Sequence, residues 1–269
     1  MFGSKVVVEV TETNISNAII NGDLIYLNAA LLLGWDVNAE FEDWDKKDDH
    51  VGVTPLILAA CANKTEVIDL FLKNGANPNI KARLRSKSYS IEPGVTALAN
   101  AAYNCNGAAI QRLVSAGAEV DVLTRCGDSP LPIIITGYRL KPDGFIWTQS
   151  NIEKLIESTM VGIKALVDAK AKPLDHPQAR EDLQSFLDDV IKYRPSICNC
   201  ENLKALLDAG LDPEAKVTWN KKEVSVAELL IELSPTYQGR MAIAKTGLLF
   251  LGVVAASLLL KGSSSGKDI

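Results

Sequence analysis

The sequence is poor in the residues that most often carry chemistry. Its 269 residues include two histidines, His50 and His176. A zinc site needs three or four ligands, so two distant histidines with no cysteine or carboxylate cluster beside them make none. The five cysteines, at positions 61, 105, 126, 198 and 200, show no C-x-x-C spacing. An odd number without a disulfide framework fits a reducing compartment. Neither a phosphate-cradling glycine loop nor a G-x-S-x-G elbow is present. No excess of basic charge exists either: 28 Lys and Arg face 33 Asp and Glu, a net charge of −5, which argues against general nucleic-acid binding. Aromatics are 6% of the chain against 47% hydrophobic residues overall, so aliphatics and alanines must build the core. Near the N-terminus the only apolar run is Val6 to Val8, interrupted by Glu9. That is too short for a secretory leader, and it reads as a short strand or arm laid over the first folded unit. These absences point to a protein that is not an enzyme and needs no metal, cofactor or small-molecule substrate.

What is present is repetition. The run GVTPLILAACANKTEVIDLFLKNGANPNIKA, beginning at Gly52, returns at Gly94 as GVTALANAAYNCNGAAIQRLVSAGAEVDV. Gly52 and Gly75 are 23 residues apart, as are Gly94 and Gly117, and the next opening glycine, Gly127, comes 33 residues after Gly94. A unit repeated in this detail stacks on copies of itself. The residues say how. Thr54 can cap a helix with its hydroxyl, and Pro55 sits at the first helical position, where a missing N–H costs nothing. Ala59 and Ala60 keep that helix thin on one side. Val67, Ile68, Phe71 and Leu72 make a stripe on a second helix, and Gly75 ends it in a left-handed cap. Each unit is therefore helix, turn, helix and extended finger, with Leu72 and Leu113 expected in the core.

This unit resembles the ankyrin repeat. Thr54-Pro55-Leu56 with Ala59-Ala60, and Gly75-Ala76-Asn77-Pro78-Asn79, carry the likeness; Thr96, Leu98, Ala101-Ala102 and Gly117-Ala118 carry it in the second copy. Weaker copies extend it over roughly residues 14 to 233. Tyr26, Leu27, Ala30, Leu31 and Gly34 close an N-terminal unit with Gly22 at its interhelix turn. Ser129-Pro130-Leu131 opens a fourth, closed by Ile163, Leu166 and Val167 with Lys170 where glycine is expected. Leu203, Leu206, Leu207 and Gly210 close a fifth, and an irregular sixth comes after Val224. The expectation is an all-α ankyrin-repeat solenoid of about five helix pairs over residues 1–239, then a C-terminal apolar helix in 240–269. One departure matters. The histidine usual in the opening motif is Ile57, Ala99 and Pro132 here, so its hydrogen bonds between repeats are lost, and the stack should rest mainly on apolar burial.

Solenoids concentrate their variation on one face, and that face usually binds. Gly34 to Gly52 spans 18 residues where Gly117 to Gly127 spans 10, and Gly75 to Gly94 spans 19. Two fingers are thus enlarged. The first, residues 40 to 49, has six acids, two lysines and Trp44; the second places Lys81, Arg83, Arg85 and Lys87 with no acid between, then Tyr89. Two readings are open: neighbouring fingers pair by charge, or Trp44, Asp45, Arg83, Arg85, Lys87 and Tyr89 form a rim that binds a protein partner, since aromatic and arginine side chains tend to anchor partners. The ankyrin resemblance adds Tyr103 and Asn104, which in that family face the concave groove. A third insertion, 137 to 147, is expected to separate the helices of the fourth unit, with Phe145, Ile146 and Trp147 covering a neighbour or making a second contact patch.

The run from Met241 to Leu260, MAIAKTGLLFLGVVAASLLL, differs from the rest in carrying no charge after Lys245. It could be the last helix of a sixth repeat or a helix buried by a partner, but a terminal repeat needs a polar outer face, and this run has little beyond Ser257. Twenty helical residues span about 30 Å, the thickness of a bilayer's hydrocarbon, and its Leu, Phe and Val residues contribute roughly −3 to −5 kcal/mol to insertion. Lys245 can snorkel, and Arg240 and Lys261 flank the run. The favoured expectation is a single-pass tail anchor with the repeats in the cytoplasm, serving as a membrane-tethered adaptor or scaffold. The competing one is a microbial secreted effector or toxin-neutralising protein that uses the same surface.

Overall fold

The computed structural model describes residues 9–41, 52–83, 94–140 and 148–234. Five helix pairs succeed one another in these residues: α1 (Glu12–Asn21) with α2 (Leu24–Leu32), α3 (Pro55–Cys61) with α4 (Thr65–Lys73), α5 (Ala97–Tyr103) with α6 (Gly107–Ser115), α7 (Pro130–Leu140) with α8 (Gln149–Asp168), and α9 (Pro177–Tyr193) with α10 (Cys200–Asp208). A hairpin of β1 (Lys216–Trp219) and β2 (Lys222–Ser225) leads into α11 (Val226–Leu233). The helical stack is the expected solenoid, and α11 is the irregular sixth unit's helix. The C-terminal apolar segment at 241–260 and the boundary at 239 lie outside the described residues, as do Val6 to Val8.

Local signals in the sequence start and stop these helices. Thr11, Thr54 and Thr96 each accept a hydrogen bond from the backbone N–H three residues on, at 3.2, 3.3 and 3.3 Å, satisfying a donor the helix itself cannot pair. Ser225 and Glu228 close a reciprocal capping box at the start of α11. At the helix ends, Gly75 and Gly117 hold φ of +85°, which lets the chain turn back without a Cβ clash. The fourth pair reaches the same conformation with Lys170, at φ +67°.

The first helices pack in one row, α1 on α3 on α5 on α7 on α9, and the second helices in another, α2 on α4 on α6 on α8 on α10. Between the rows runs a continuous apolar core that includes Ile19, Phe71, Leu98, Ile110, Leu113, Ile134, Ile163 and Phe186, all fully buried. The core stripe of α4 is Val67, Ile68 and Phe71. Leu72, expected in it, is only half-buried, because it sits one helical position past Phe71 and lies at the edge of the groove between α4 and α6.

Two departures from the expected regularity appear. Residues 137–140 of the third insertion do not separate the helices; they extend α7, while α8 grows to 20 residues after its cap at Thr148. Phe145, Ile146 and Trp147 lie outside the described residues. Nor is apolar burial all that joins the units. Asn38 donates its side-chain amide to the Gly75 carbonyl (3.1 Å) and accepts from the Asn77 N–H (2.7 Å). Asn79 repeats both bonds one unit later, to the Gly117 carbonyl (3.1 Å) and from the Glu119 N–H (2.8 Å). Asp121, with no amide to donate, keeps the acceptor half, from the Lys172 N–H at 2.9 Å. A ladder on the finger side thus takes over from the missing histidines.

Glycine sets how closely neighbouring helices approach within each row. A Cβ on Gly107 would lie 2.2 Å from the Ser158 carbonyl of α8, and one on Gly137 would lie 2.3 Å from the Tyr103 carbonyl of α5. Ser158 also bridges the α6–α8 contact, accepting from the Gly107 N–H (3.0 Å) and donating to the Cys105 carbonyl (2.6 Å).

Candidate protein-binding surface

Both enlarged fingers are closed at their base by paired backbone bonds. Phe41 and Val53 form one bridge, with Phe41 N–H to Val53 O at 3.0 Å and Gly52 N–H to Phe41 O at 3.1 Å. Ala82 and Val95 do the same in the second, with Ala82 N–H to Val95 O at 2.9 Å and Gly94 N–H to Ala82 O at 2.7 Å. Phe41, Val53 and Ala82 are buried, so the base is part of the core and the inserted residues start beyond it.

Of the expected rim residues on the two fingers, Arg83 falls within the described residues. Its N–H donates to the Gly52 carbonyl at 3.1 Å. Its guanidinium pairs with Glu40 of the first finger, while two thirds of the side chain stays exposed. Such an exposed pair is worth about 0–1 kcal/mol; it joins the two fingers and leaves the arginine's outer edge open. Trp44, Asp45, Arg85, Lys87 and Tyr89 lie outside the described residues.

On α5 the six residues Ala97 to Ala102 are buried, and the helix then turns Tyr103 outward with half its surface exposed. Asn104 caps this helix and reaches back to the previous unit, its amide donating to the carbonyls of Ala60 and Cys61, both at 3.2 Å. Those carbonyls lie in the last turn of α3, where helical i→i−4 bonds run out; Ala60 also accepts from the Asn63 N–H at 3.2 Å. Asn104 therefore acts as a clamp between units that fixes where Tyr103 points. Asn106 adds to the clamp, donating to Asn63 and, at 3.1 Å, to Thr65. Asn106 and the Asn38–Asn79 ladder escape sequence reasoning, although the recurrence of Asn or Asp at 38, 79 and 121 carries the signal.

Several charged and nucleophilic groups elsewhere are tied into the packing. His176 caps α9, its Nδ1 accepting from the Gln178 N–H at 3.3 Å. Tyr138 donates to Asp189 at 2.7 Å, and Arg139 pairs with Asp182, so α7 and α9 are locked by two polar contacts beside the Tyr138–Phe186 edge-to-face pair. Burial pushes the thiols of Cys61 and Cys198 up to about 11, which keeps them protonated and unreactive near neutral pH. No group of three or more His, Cys, Asp or Glu among the described residues is placed to hold a metal ion. No helix among the described residues is long and apolar enough to cross a membrane.

Helix pairs stacked in two rows, joined by fingers that hydrogen-bond from one unit to the next, define a helical-repeat protein of the kind built to bind other proteins. Residues 15–124 match the family model for ankyrin repeats in three copies; this region carries ankyrin repeats, which indicate a protein–protein interaction module. The matched region holds the first three helix pairs; the fourth and fifth, with their longer α8 and α9, fall beyond it. No curated protein matches the chain.

Proposed function

We propose that this chain is a non-catalytic adaptor or scaffold whose finger rim and first-helix row bind a protein partner, and which is held at a membrane by residues 241–260 with the repeats on the cytoplasmic side. The observation that carries the binding surface is Tyr103: a half-exposed aromatic at the end of an otherwise buried helix, held in place by Asn104. An aromatic that loses little freedom on binding is a good anchor. Arg83 supports the same surface, because its pairing with Glu40 brings the two fingers together. Trp44, Arg85 and Tyr89 belong to this rim by their position in the sequence. The charge-free run between Thr246 and Leu260 supports the membrane attachment.

The test is capture of partners by the full-length protein, identified by mass spectrometry, with their affinities then measured. Tyr103→Ala and Trp44→Ala should each weaken the dominant interaction by about 2 kcal/mol, roughly 30-fold, with unchanged helicity. Affinity unchanged in both variants would remove the rim as the binding surface.

A further inference from the structure

Helix α2 carries no charged residue and is apolar nearly all round, the pattern of a helix that is buried on every side. Its inner stripe, Leu27 and Ala30, is indeed buried in the core. A second stripe, Ile25, Ala29, Leu32 and Leu33, has i, i+4, i+7, i+8 spacing on the outside. There Ile25 is 87%, Leu32 81% and Leu33 66% exposed. Helix α4 meets this stripe at Ile25 and leaves Leu32 and Leu33 uncovered: it borders α2 along Leu24, Ile25 and Asn28, where Leu70 faces a space of about 530 Å³.

The chain enters the first unit at the opposite edge of α2. Tyr26 donates its hydroxyl to the Glu9 carbonyl at 2.5 Å, and Asn14 donates to the same carbonyl at 3.1 Å. Val10 packs on the core. Position 9 is therefore pinned beside Tyr26, between the buried stripe and the exposed one. Residues 1–8 include Phe2, Val6, Val7 and Val8. Extended, eight residues reach about 26–29 Å, whereas the nine residues of α2 measure only about 14 Å at 1.5 Å each. Length, anchor point and apolar content all suit the same face.

We infer that residues 1–8 lie across the Ile25–Ala29–Leu32–Leu33 stripe of their own chain and cover the end of the solenoid. The cover supplies what an end unit needs, since a stack of repeats leaves the outer face of its terminal unit without a neighbour.

Photo-cross-linking of the full chain tests this. p-Benzoylphenylalanine is placed at Val7, and separately at Phe2, in an equal mixture of ¹⁴N- and ¹⁵N-labelled protein. Cleavage at glutamates separates residues 1–9 from 13–40, so an adduct between them is readable by mass. The expected result is an adduct to residues 24–33 within single-isotope chains, with a yield that falls severalfold in Leu32→Glu. Mixed-isotope adducts would mean that a second copy covers the stripe and would overturn the inference. Adducts to lipid or detergent alone, or no adduct to α2 from either position, would overturn it as well.

Discussion

Lys170 does the work of a glycine. It ends α8 at φ +67°, where a Cβ costs about 1–2 kcal/mol against the usual backbone, while its counterparts in the second and third units are Gly75 and Gly117. Lys170→Gly should therefore stabilise the protein by about 1 kcal/mol, despite the greater freedom glycine gives the unfolded chain. Urea unfolding of the two proteins measures it; a lower midpoint for the glycine variant would mean that the lysine makes compensating contacts. The position of this residue was legible, because the template expected glycine there. The role of Asn104 was less so. As the residue after Ala101-Ala102-Tyr103 it reads as a surface position facing a partner, whereas its amide is taken up by the carbonyls of Ala60 and Cys61. A bond that spans 44 positions leaves no trace in local periodicity.

Helices approach one another here through missing side chains. Gly107 and Gly137 each face a backbone carbonyl that cannot move aside as a flexible side chain could. Gly107→Ala should force α6 away from α8 and cost about 1–3 kcal/mol, in spite of alanine's better helix propensity. Thermal melting of the variant checks this, and an unchanged or higher Tm would show that the two helices can slide apart freely. Helix existence was easy to read at this scale, because Thr-Pro starts, apolar stripes and Gly ends all agree. Length and spacing were harder. The 20 residues of α8 and the continuation of α7 to Leu140 break the template's counting. Leu72 likewise fits the apolar spacing of α4, but the spacing alone does not say that Phe71 fills the core and leaves Leu72 at the rim.

For the molecule as a whole, attachment decides biology. If residues 241–260 insert in a bilayer, full-length protein should pellet with membranes and resist carbonate extraction, whereas a chain ending at Gln238 should stay in the supernatant and remain folded. Val253→Asp places a carboxylate near the middle of the run, costs insertion about 2.5–3.5 kcal/mol, and should shift protein to the supernatant. Fractionation with the soluble material in all three cases would end the anchor reading and favour the run as a capping helix.

The row-by-row contacts also have a mechanical side. Each helix pair packs on its neighbours in sequence, so the stack is a set of links in series. Pulled from its ends, such a chain yields link by link, each freed unit of about 33 residues adding roughly 11 nm of length. The strongest link should be the one between the third and fourth units, where Gly107 lets α6 close on α8 and Gly137 lets α7 close on α5. A protein fixed at one end to a surface and at the other to a cargo would then lengthen in steps under load, and would still hold its partner until the units that grip it give way.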